Sequence, residues 1–132
     1  MNFPILPTAL PETGDVYQDI ENANLLKVDL GNRPNRPRTP TNASPEEYRS
    51  YADLLEKYEA ANNEYTINYA IISKHNREVD KLIENYIAEV SGLNTIPEQY
   101  RNKVWQKAWQ IGHSSGYYEV YHCLCDLIDI FG

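Results

Sequence analysis

Only two cysteines, Cys123 and Cys125, occur in the 132 residues. That excludes a disulfide scaffold and fits a reducing setting. Phenylalanine is as scarce, with 2 against 11 tyrosines. A core of hydrocarbon alone would favour Leu and Phe, whereas tyrosine wants wet edges, hydroxyl partners or a protein interface. No apolar run approaches the roughly 20 residues of a membrane span, so no membrane association is expected. No Lys or Arg precedes Lys27, so the basic start of a secretory signal is missing. A cytoplasmic location is expected, or a virion for a viral chain. A basic face is missing too. The net charge is -7, which argues against direct nucleic-acid binding. What is present is an ordinary globular balance, 42% apolar and 23% charged, at a length for which one domain is the default.

Proline is absent between Pro45 and Pro97 and again after Pro97, while Pro4, Pro7, Pro11, Pro34, Pro37 and Pro40 crowd the start. Proline breaks helix interiors, so the spacing predicts an irregular arm followed by two long helices. Ser44-Pro45-Glu46-Glu47 has the form of a capping box with proline at the first helical position. Gly92 can close that helix in a left-handed turn. Thr95-Ile96-Pro97-Glu98 repeats the capping spacing, and Trp105, Ala108, Trp109, Gly112, Gly116, Val120, Leu124 and Leu127 follow at helical intervals. The expected fold is therefore all-α. It comprises an extended, Pro-rich N-terminal arm over residues 1–44 and a hairpin of two long antiparallel helices over residues 45–132, with helices at 45–91 and 96–131.

The first helix carries a heptad seam. One set of positions reads Tyr48, Leu55, Asn62, Tyr69, Asn76, Ile83 and Val90. The other reads Tyr51, Tyr58, Tyr65, Ile72, Val79 and Tyr86. All but the two asparagines are apolar or aromatic, which marks an interface. Asn62 and Asn76 lie two heptads apart. Asparagine buried at such sites fixes register or partner number, and where the seam is open it is simply solvated. In the arm, Phe3, Ile5, Leu6 and Leu10 alternate with prolines, as suits an extended segment lying on a surface in cis or in trans. Residues 13–24 can form a short helix. Leu26, Val28 and Leu30 alternate as in a brief strand, and Arg33-Pro34-Asn35-Arg36-Pro37-Arg38 has the form of a basic polyproline linker.

The motifs that suggest chemistry are fragments. In Gly112-His113-Ser114-Ser115-Gly116 the glycines share a helical face, where close approach of another backbone explains them best; the alternative is a ligand pocket beside the gap. His113 and Ser114 point about 100° apart on a helix, which disfavours a nucleophile pair. Glu119 and His122 have the spacing of a di-iron half-site, but the seam supplies no matching glutamate. Cys123 and Cys125 point to opposite sides of a helix, with no second pair for zinc. Leu10-Pro11-Glu12-Thr13-Gly14 resembles a sortase sorting signal, but neither an apolar segment nor a basic tail follows it. No metal and no cofactor are expected.

Charge is uneven. Residues 45–91 carry ten acidic and five basic side chains. Further on, Arg101, Lys103 and Lys107 precede Glu119, Asp126 and Asp129, the reverse of what a helix dipole prefers. Antiparallel association of two copies would place the basic start beside the acidic end. These features point to a non-enzymatic structural or assembly protein acting through protein partners, as a homo-oligomer or larger assembly, for instance as a viral particle or assembly component. The expected interface residues are Phe3, Ile5, Leu6, Leu10, Tyr48, Tyr51, Tyr58, Tyr65, Tyr69, Tyr86, Gly112 and Gly116. A small acidic inhibitor or adaptor binding one host protein is the alternative, and a metal-binding helical enzyme a third.

Overall fold

The computed structural model describes residues 3–131. Its helices are α1 (Val16–Asn24), α2 (Pro45–Val90), α3 (Glu98–Gly112) and α4 (Tyr117–Phe131), with single 3-10 turns at Leu93–Thr95 and His113–Ser115. The all-α expectation holds, and there is no strand among the described residues. The alternation at Leu26, Val28 and Leu30 instead runs from a turn into extended chain without a ladder.

Local chemistry sets the helix ends. The Asp15 carboxylate accepts from the Gln18 amide at 3.1 Å and opens α1. The Ser44 hydroxyl accepts from the Glu47 amide at 3.2 Å and opens α2. Glu47 returns to that hydroxyl, at 3.3 Å, rather than to the Ser44 amide. Gly92 closes α2 at φ 85°, the left-handed turn for which glycine is suited. Thr95 does not cap α3. Its hydroxyl donates to the Gly92 carbonyl at 2.6 Å, and α3 begins two residues after Ile96.

The single helix expected over 96–131 is two helices. Gly116 has φ 110° and ψ 176°, a region open essentially to glycine alone, and there the chain reverses. Gly112 then lies beside the start of α4, where a Cβ would sit 2.8 Å from the Val120 nitrogen. At the other end Lys103 and Val104 lie beside Leu127 and Ile130. The close hairpin is thus α3 on α4 rather than two long helices. It brings the basic start of α3 next to the acidic end of α4 within one chain, so the reversed charge order needs no second copy.

The chain divides into two compact units. The first combines residues up to Lys27 with those from Asn76 onward. Its core has Val79, Ile83 and Ile87 from α2 and Val120 and Leu124 from α4 fully buried, joined by Ile20 and Ala23 of α1, Ala108 of α3, and Leu10, Leu93 and Ile96. Each fully buried aliphatic contributes about 1.5–3 kcal/mol. Tyr17 of α1 meets Tyr118 of α4 edge-on, with ring centroids 5.2 Å apart.

The second unit is Val28–His75. Here the proline-rich segment runs back along the first part of α2. The Arg33 guanidinium lies 5.9 Å over the Tyr65 ring, and the Thr39 hydroxyl is 3.3 Å from that of Tyr51. A polyproline path from Arg33 to Thr39 covers roughly 19 Å. Helix from Tyr51 to Tyr65 covers roughly 21 Å. The two lengths match, so each strap residue keeps pace with about two helical ones.

Candidate functional site

The α3 sequence repeats an aromatic ring every fourth residue, at Trp105, Trp109 and His113, which places the three along one face. Trp105 and Trp109 are near-parallel, 22° apart with centroids at 6.3 Å. Trp109 and His113 stack at 18° and 5.3 Å. The His113 Nδ1 lies 2.7 Å from the Trp109 carbonyl, which holds the imidazole in place. The reversal at Gly116 returns Tyr117 to the same spot, 5.7 Å from Trp109. Trp109 thus has three rings around it yet remains more than a third exposed.

Opposite this ladder α2 presents two carboxylates one turn apart, Asp80 and Glu84. Burial, and then the charges of these two carboxylates, which share the one proton of the Tyr117 hydroxyl, keep that hydroxyl protonated far above the ordinary tyrosine range. Asp80 has a cation: Lys27 Nζ is 2.6 Å from its Oδ1 and lies 5.9 Å over the Tyr117 ring. Glu84 has none within ion-pair distance among the described residues. Its carboxyl is pushed up, first by burial and then by Asp80, with the Tyr117 hydrogen bond and Lys81 offsetting part of this. Glu84, Trp105, Gln106, Trp109 and Gln110 line a cleft of about 200 Å³. The site therefore offers aromatic faces, amide groups and a half-buried carboxylate.

A second cavity, about 250 Å³, lies beside α1 and includes Pro7, Leu10, Thr13, Asp19 and Ala23. Its polar wall is internally satisfied. Buried Asp19 accepts from the Tyr86 hydroxyl at 2.5 Å, from the Thr13 hydroxyl at 2.6 Å and from the Thr13 amide at 3.1 Å. The hydrogen bonds from Thr13 and Tyr86 hold its carboxyl below the usual range against the opposing effect of burial.

The residues singled out from sequence are scattered. Leu10 is in the core, Leu6 packs on it, Phe3 is half-buried and Ile5 is almost fully exposed. Tyr86 is buried on Asp19. Tyr51, Tyr58 and Tyr65 are half-buried, while Tyr48 and Tyr69 are exposed. Asn62 and Asn76 are half-buried; the Asn62 Oδ1 is sealed from solvent with no hydrogen-bond partner among the described residues. Gly112 is the close-approach position, whereas Gly116 has open space around it and serves the turn. His113, Ser114, Ser115 and His122 are exposed. No cluster of three His, Cys, Asp or Glu side chains suited to a metal occurs among the described residues. Sequence reasoning passed over Asp80 and Glu84 because they lie off the seam. Their four-residue spacing, matched by Trp105 and Trp109, was the available signal.

The fold and this cleft define an all-helical chain with an aromatic–carboxylate site. A family model described as Family of unknown function (DUF8546) matches residues 15–131, and the chain belongs to that family. No curated protein and no solved structure matches it.

Proposed function

We propose that this chain is a non-enzymatic structural or assembly protein that works through protein contacts, with self-association or incorporation into a larger particle as its mode. The observation that carries the reading is the exposure of large apolar side chains along α2 within Val28–His75. Ile67 is 62% exposed, Tyr69 55%, Leu54 53% and Ile71 47%. Within Val28–His75 the polyproline strap leaves these side chains exposed, and apolar patches of this kind mark contact sites. Ile67 and Ile71, one turn apart, form a pair on one face. The seam tyrosines supply contact area at low entropy cost.

Sedimentation equilibrium across a wide concentration range is the test. A concentration-dependent dimer or larger species is expected, weakened by the pair Ile67→Gln and Ile71→Gln without loss of helical content. A monomer at every concentration that co-purifies with nothing would sink the reading. A second reading, the acidic adaptor, draws support from the ten acidic side chains of residues 45–91. One defined basic partner, together with no self-association, would favour it over assembly.

A further inference from the structure

We propose that the cleft between Glu84 and the Trp105–Trp109 ladder is a receptor for an arginine side chain carried on a basic segment of a partner protein. This reading concerns other residues than the exposed α2 face and stands whether or not the chain self-associates. Three observations converge on it.

The first is charge. Asp80 and Glu84 are equivalent carboxylates on one helix face, yet Lys27 neutralises Asp80 alone. Glu84 is left half-buried, beside a like charge, with a neutral phenol that it shares with Asp80. A half-buried carboxylate in this position is electrostatically incomplete, and an incoming cation completes it.

The second is shape. The walls are the near-parallel indoles of Trp105 and Trp109. A guanidinium is planar, weakly hydrated and stacks on indole faces, whereas an ammonium is compact and strongly hydrated. The side-chain carbonyls of Gln106 and Gln110 supply acceptors for the N–H groups that do not reach Glu84. His113 and Tyr117 both pack against Trp109, so little ordering is required on binding.

The third is size. About 200 Å³ is below the roughly 300–1,000 Å³ typical of sites that enclose a whole small molecule. It suits the end of one side chain, with the backbone that carries it outside. The net charge of -7 favours approach of a basic segment over an acidic one.

The test is a titration of the full chain, followed by tryptophan fluorescence and by the Trp105 and Trp109 indole N–H signals. The probes are a capped Gly-Arg-Gly peptide and its lysine and citrulline counterparts. Citrulline keeps the shape and loses the charge. Saturable binding is expected for the arginine peptide, with on the order of tenfold weaker binding for lysine and weaker still for citrulline. Glu84→Gln should weaken the arginine peptide by about tenfold or more while the helical spectrum is unchanged. Trp109→Leu should do the same, and if that variant fails to fold, Gln110→Ala gives a smaller loss on an intact fold. Free L-arginine, whose α-carboxylate meets Asp80 and Glu84, should bind no better than the capped peptide. Equal binding of the citrulline and arginine peptides overturns the proposal. So does full affinity in Glu84→Gln, tighter binding of free arginine, or no saturable binding by the arginine peptide.

Discussion

Burying the Asp19 carboxylate is tolerable because three donors from two residues reach it. Tyr86→Phe removes one and leaves the carboxylate still buried. A cost of about 1.5–3 kcal/mol is expected, as for a hydrogen bond to a charged group, and urea unfolding measures it. Because the native carboxyl lies below its unfolded value, its contribution is present above the unfolded pKa of about 3.9 and is lost as pH falls through the lower native one. Asp19→Asn should therefore flatten the acid limb of the stability curve, as thermal melts between about pH 5 and pH 2 would show. Glu84 has the opposite sign. Its native carboxyl is raised, so ionisation destabilises the fold as pH rises from the unfolded pKa through the native one. Glu84→Gln should be the more stable protein at neutral pH. A residue kept at a cost to stability is what a binding site requires.

At the scale of the element, the break between α3 and α4 rests on two glycines with different tasks. Gly116 takes a backbone conformation closed to side chains, so Gly116→Ala should cost about 1–3 kcal/mol. Gly112→Ala forces a methyl against the Val120 and Glu119 backbone, for a cost of about 1–3 kcal/mol. Chemical denaturation compares the two, and Gly112→Ala should also shift the Tyr117 ring relative to Trp109. Helix starts at Ser44 and the stop at Gly92 were legible because capping is local chemistry. The break was not, because a Gly-x-x-x-Gly spacing fits helix packing and helix reversal equally well. Whether residues 28–44 lie on their own chain was also closed to inspection. That depends on matching strap length to helix length, with Tyr51 and Tyr65 as landing points, and those contacts are remote in sequence. The cleft was half legible: Trp105 and Trp109 were visible as a helical pair, but Glu84 gained meaning only once Lys27 was seen to choose Asp80.

At the scale of the molecule, α2 serves two environments with one continuous hydrogen-bonded backbone. In its later part Val79, Ile83 and Ile87 are fully buried. Among residues 45–75 only Ile72 and His75 are buried. Helices draw most of their stability from tertiary packing rather than propensity, so the two parts should open with different free energies. Amides around Ile83 should exchange only on global unfolding. Those from Tyr48 to Asn62 should exchange by local opening, at least about a hundredfold faster in dilute solution. Hydrogen exchange read along α2 measures the gradient directly, and it also bears on assembly. A second copy seated on Ile67, Tyr69 and Ile71 would slow exchange in the early part and leave the later part unchanged. The gradient should therefore shrink as protein concentration rises. A steep gradient that ignores concentration would mean that the exposed face of α2 is not where copies of this chain meet.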